Sequence, residues 1–198
     1  MTKRAALAAA IAAGLPTVAE AHLNSTGMGP LYDGVAHFAT SPGDLLSALA
    51  VALLAGLRGA EHGRRAMFAL PSAWLVGSLA GSGAPAVRDD ALVSAVWLLA
   101  LGGLLALDAK LSARGVTALA ACVGLAHGFL NGAGLGWSAS SLGALVGLAA
   151  AVFALSALAS GLAVAIRADW PRIALRVAGS WIAASGLLWL GWALRSSG

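Results

Sequence analysis

Six apolar blocks, at residues 42–58, 67–84, 91–109, 116–136, 142–166 and 173–194, fill most of this 198-residue chain. Each is close to the roughly 20 residues that carry an α-helix through the hydrocarbon core of a bilayer. Charged side chains gather in the short connections between the blocks. They make up only 10% of the sequence, against 60% apolar residues and a mean hydropathy of +0.87, whereas a soluble domain carries roughly 25% charged residues. So little polar surface cannot cover a globule in water, and the bilayer is the partner that the composition demands. The pattern predicts an all-α polytopic membrane protein, a bundle of six transmembrane helices forming one domain over residues 22–198. No connection is long enough to hold a soluble catalytic domain.

The segment ahead of the first block predicts a cleavable signal peptide at residues 1–21. Lys3 and Arg4 are its charged start, Ala5 to Leu15 its apolar run, Pro16 a break, and Ala19-x-Ala21 a small-residue cleavage pattern. The apolar run is short for a spanning helix. With the mature N-terminus outside, the inner connections hold Arg58, Arg64, Arg65, Lys110, Arg114, Arg167, Arg172 and Arg176, and the outer connections and tail hold Arg88 and Arg195. That imbalance is a positive-inside pattern and agrees with export. A bacterial inner membrane, with both mature termini periplasmic, is the expected location.

A sequence pI of about 10.2 could suggest nucleic acid. The basic residues are scattered between apolar blocks, however, which excludes nucleic acid as a partner. The single cysteine, Cys122, excludes an internal disulfide and a cysteine-cage metal site. The seven tryptophans suit the bilayer interface, Trp137 and Trp170 falling at span ends while Trp97 and Trp181 do not. The pairs Gly77/Gly81, Gly124/Gly128 and Gly143/Gly147 have the small-xxx-small spacing that lets membrane helices approach closely. A homo-oligomer is compatible with such a chain.

Within the fourth block, His127 stands alone among apolar residues. It follows the inner start by 11 residues and precedes the outer end by 9, roughly 13 Å below the outer interface at 1.5 Å per residue. An ionisable side chain at that depth is costly and marks a functional site by default. The plainer role is a neutral imidazole bonded to a neighbouring helix. Asn131, four residues on, shares its face, and Cys122 is rotated away from it. At the outer mouth of the first block, His37 precedes Ser41-Pro42-Gly43-Asp44. Ser41 as N-cap, Pro42 at N1 and Asp44 at N3 would form a capping box; Asp44 can also serve as a ligand. His22, as the first mature residue, would offer an amine and an imidazole to Ni²⁺ or Cu²⁺. His62, among arginines on the inner side, reads as a solvated loop residue. No Gly-x-Ser-x-Gly elbow, phosphate loop, dinucleotide fingerprint or His-Glu-x-x-His helix is present, and no enzymatic activity is expected.

Taken together, Ala21-His22, His37 and Asp44 ahead of Leu45-Leu46, and Ala126-His127-Gly128 in the fourth of six blocks resemble the HupE/UreJ family of membrane proteins. The resemblance implies a nickel or cobalt permease that serves hydrogenase or urease maturation, with the ion as cargo and no cofactor. It also implies a metal path along His22, His37, Asp44, His127 and Asn131. The chain departs from the family pattern where Phe38 follows the first histidine, where Asp44 lies one residue further on, and where Leu45, Val123 and Leu130 replace two histidines and a glutamate. A second reading is therefore a non-transporting accessory or scaffold protein; a third, an intramembrane hydrolase, requires a serine in reach of His127. Close approach of His127 and Asp44 would support a shared path.

Overall fold

The computed structural model describes residues 25–85 and 90–196. Seven α-helices and no strand occur among them: α1 (Pro30–Thr40), α2 (Pro42–Leu57), α3 (Ala60–Gly81), α4 (Asp90–Ala106), α5 (Ala113–Leu135), α6 (Ala139–Ala165) and α7 (Asp169–Ser196). The expected signal peptide and His22 lie outside the described residues. Helices α2 to α7 each overlap one of the six apolar blocks, and their exposed surfaces carry large apolar side chains such as Phe68, Val96, Leu158, Trp181 and Leu188.

Length and apolarity single out fewer spans than six. α5, α6 and α7 are each long and apolar enough to cross a bilayer, and α1 with α2 makes a fourth path, bent by 79°. The apolar part of α4 is shorter, Leu92–Ala106. α2 explains one shortfall: its 16 residues rise only about 24 Å, yet it touches every other helix, and Ala50 to Leu57 are all buried. An all-round apolar helix inside a bundle is solvated by its neighbours rather than by lipid. α3 explains another. It starts at Ala60, seven residues ahead of the apolar block, because Glu61, Arg64 and Arg65 form a polar first turn and a half. There Arg65 bonds Glu61 at 2.8 Å across i,i+4.

α1 precedes the first of the six apolar blocks and belongs to none of them. Pro42 cannot continue α1 because it has no amide hydrogen, so the chain breaks at Ser41. Thr26 anchors the start of α1 through its N–H and hydroxyl on the Asp33 carboxylate, at 2.6 and 2.7 Å. Gly34 and Gly147 then let α1 and α6 cross in backbone contact, against Ala144 and Leu31 respectively.

The closest helix pair is α3 with α5. Gly124, Gly128 and Gly132 of α5 lie on the backbone of Leu70, Trp74 and Ser78, while Gly77 and Gly81 of α3 lie on that of Leu125 and Phe129. Two of the three small-xxx-small pairs thus interlock with each other, and a Cβ at Gly128 or Gly132 would collide with a carbonyl oxygen. Helix ends that meet at the two poles show α2 to α7 alternating in direction. At one pole the starts of α2 and α6 adjoin α1 and the end of α5. At the other, Asp108, just beyond α4 with φ 51, accepts from Arg58 at the end of α2. Arg172 of α7 donates to the same carboxylate through Nη2 at 2.9 Å and Nε at 3.2 Å.

Candidate functional site

The bend at Ser41 and the α3–α5 interlock together place the polar residues of three helices in one buried cluster. Ser41 occupies the N-cap position of α2 without capping it. Its hydroxyl donates to the His37 carbonyl at 2.7 Å, meeting one of the acceptors that α1 leaves open where it stops. The expected capping box is therefore absent, and the Asp44 side chain turns into the bundle instead. Two polar groups inside offer its carboxylate charge-assisted bonds, which are shorter and stronger than neutral ones.

Asp44 Oδ1 lies 2.7 Å from Nδ1 of His127, and Oδ2 accepts from Nδ2 of Asn131 at 3.0 Å. The same amide nitrogen donates to the His127 carbonyl at 2.8 Å. With two acceptors on its nitrogen side, the Asn131 amide has one orientation, and its Oδ1 then faces Nε2 of His37 at 2.8 Å. An amide oxygen only accepts, so His37 Nε2 carries a proton there. Opposite an ionised Asp44, His127 likewise carries a proton on Nδ1 and, as a neutral ring, an open lone pair on Nε2. His127 is 1% exposed, Asp44 8% and Asn131 9%. The half-buried His37 is the outermost member of the cluster.

His127 Nε2 is buried with no hydrogen-bond partner among the described residues. Metal-ligating histidines commonly have this form, one nitrogen donating to a carboxylate while the other faces the ion. Trp74 holds the ring: the two rings stack at 5.3 Å and 28°, with Trp97 at 6.4 Å and Phe38 edge-on to Trp74 at 6.0 Å. The Trp74 Nε1, Ser47 and Ser78 side-chain groups are also buried without partners. Among the described residues no serine bonds to His127, so the nucleophile–base pair that a hydrolase requires is not formed between them. Among the described residues, no three His, Cys, Asp or Glu side chains gather closely enough to cage an ion.

Four of the five residues singled out in the sequence, His37, Asp44, His127 and Asn131, therefore form one hydrogen-bonded chain across α1, α2 and α5. Asp44 and His127 touch directly. His22 lies outside the described residues, His62 sits in the first turn of α3 near the opposite pole, and Cys122 is exposed. Trp74 was counted with the interface anchors, but it is fully buried. Its place well inside the second apolar block was the signal that set it apart.

The sequence model described as HupE / UreJ protein matches residues 9–189. The chain belongs to the HupE/UreJ family. It is a multi-pass membrane protein, in keeping with its long apolar helices. No curated protein and no solved structure shows significant similarity to it. In this HupE/UreJ chain, Val123 is buried one turn from His127 on the same helix, where the resemblance implies a second imidazole. Leu130, half-buried, stands where it implies a carboxylate. Asn131, adjacent to that position, supplies the polar link to His37 instead.

Proposed function

We propose that this protein is an inner-membrane permease for a divalent transition metal, nickel or cobalt, supplying hydrogenase or urease maturation. In this reading α2 to α7 are six spans, with the mature termini in the periplasm after removal of residues 1–21. The observation that carries the proposal is the chain His37–Asn131–Asp44–His127, which ends in an unpartnered buried imidazole nitrogen. Imidazole nitrogen suits Ni²⁺ and Co²⁺. Asp44 supplies the negative charge that draws a dication below the interface, and it orients His127 so that Nε2 faces the ion.

Such a site holds its cargo through few protein atoms and leaves the rest of the coordination to water. A transport site has to release what it binds, so a sparse donor set favours passage over storage. Family membership and the alternation of α2 to α7 support the six-span reading, and the bend at Ser41 supports entry from the His37 pole. The half-buried His37, and His22 ahead of it, would collect the ion there.

The test is cellular accumulation of Ni²⁺ and Co²⁺ with and without expression, followed by His127→Ala and Asp44→Ala at matched membrane levels. Unchanged accumulation in both variants would leave the second reading, a non-transporting accessory or scaffold protein. Val123 and Leu130, which stand in place of ligands, favour that alternative.

A further inference from the structure

At the pole opposite His127, a cleft of about 390 Å³ opens where the start of α7 passes the end of α4. Ala106, Ile173, Arg176, Val177 and Ser180 line it. Ile173, Val177 and Ser180 recur at helical spacing on one face of α7, and Ile173 and Val177 are exposed. Arg176 Nε donates to the Ala106 carbonyl at 2.9 Å, which holds the guanidinium at the edge of the cleft. Its two terminal nitrogens have no partner among the described residues. Asp108 is already taken by Arg172, one turn back, and no carboxylate among the described residues pairs with Arg176. The Ser180 hydroxyl donates to the Arg176 carbonyl at 3.3 Å and keeps its acceptor lone pairs free.

Around this pole, Arg58, Arg64, Arg65, Lys110, Arg114, Arg167, Arg172 and Arg176 face only Glu61, Asp108 and Asp169. We propose that the cleft binds an anionic phospholipid of the inner leaflet, its phosphodiester on Arg176 and an acyl chain along Ile173 and Val177. A guanidinium matches a phosphate by parallel N–H bonds, and basic pockets between helices on the cytoplasmic side suit anionic headgroups. The apolar wall beside the arginine selects a lipid over a free anion, which would have no use for it. The proposal relies on placing this pole at the inner face and is independent of any transport.

Thermal unfolding of the purified full chain in neutral detergent tests it. The titrants are phosphatidylglycerol, phosphatidylcholine with the same acyl chains, and inorganic phosphate. Phosphatidylglycerol is expected to raise the midpoint saturably, and the other two are not. Arg176→Gln should raise the half-saturating concentration at least about tenfold, the loss of a charge-assisted bond, while Arg195→Gln at the far end of α7 should leave it unchanged. Val177→Trp fills the cleft without touching the charge and should weaken the response equally, so it serves if Arg176→Gln fails to fold. An equal effect of phosphatidylcholine or of phosphate, or a wild-type response from the folded variants, would overturn the proposal.

Discussion

At the scale of single residues, the proposed path gives Asp44 a role through His127, 2.7 Å away. Its carboxylate is shared between an imidazole N–H and an amide, so Asp44→Asn keeps the volume but loses the charge that fixes the His127 tautomer. Changes to such supporting partners weaken metal affinity by about 10–100-fold. Half-maximal Ni²⁺ accumulation in Asp44→Asn cells should therefore shift upward on that scale, at unchanged membrane level. A wild-type concentration dependence would show that Asp44 is only structural. Trp74→Ala opens a cavity beside His127 and is expected to cost about 3–5 kcal/mol, read as a lower unfolding midpoint in detergent. His127 was legible in the sequence because one titratable group in an apolar block is conspicuous. Asp44 was harder to place, since Ser41, Pro42 and Asp44 fit a helix cap equally well and only the buried partners on α5 decide its direction. The link from His37 to Asn131 depends on the bend at Ser41, a tertiary fact that the spacing of the two residues does not contain.

Among the elements, the α3–α5 pair positions the site, because Trp74 reaches His127 only where glycines let the two backbones touch. Gly128→Ala would press a Cβ into the Trp74 carbonyl, and overpacking of this kind destabilises by about 1–3 kcal/mol or more. Gly134→Ala, with nothing within 4 Å of the added carbon, should be neutral or mildly stabilising, because alanine favours a helix interior by up to about 1 kcal/mol over glycine. Unfolding midpoints of the two variants check the contrast, and equal midpoints would contradict the interlock. The sequence showed these glycine pairs but not which helices they join, since such spacing recurs by chance in a chain with 26 glycines. It also missed α1, a helix of 11 residues behind Gly27 and Gly29 and too short to stand out as an apolar block; its contact with α6 through Gly34 and Gly147 makes it a helix worth forming.

The whole molecule is organised by two polar poles joined through the buried α2, with Asp44 at its start and Arg58 at its end. At the Arg58 pole, burial raises the Asp108 pKa, but hydrogen bonds and charge from Arg172 and Arg58 outweigh that effect and leave it below the usual carboxylate value. A lowered native pKa contributes stability above the unfolded value, near 3.9, which is lost as pH falls through the native one. The unfolding midpoint should therefore drop as the solution is acidified below about pH 4, and Asp108→Asn should lose that part of the dependence. The all-helical class was legible from apolarity alone, but the polar start of α3 and the shortness of α2 were not, because neither lies in the apolar signal that marks a block. The central claim is that a dication passes the buried nitrogen of His127. Ni²⁺ and Co²⁺ accumulation in cells expressing the wild type, His127→Ala and Asp44→Ala at matched membrane levels tests it most directly. Expression-dependent accumulation that falls to background in His127→Ala and sharply in Asp44→Ala is the expected result, whereas accumulation undiminished in both variants would contradict the account.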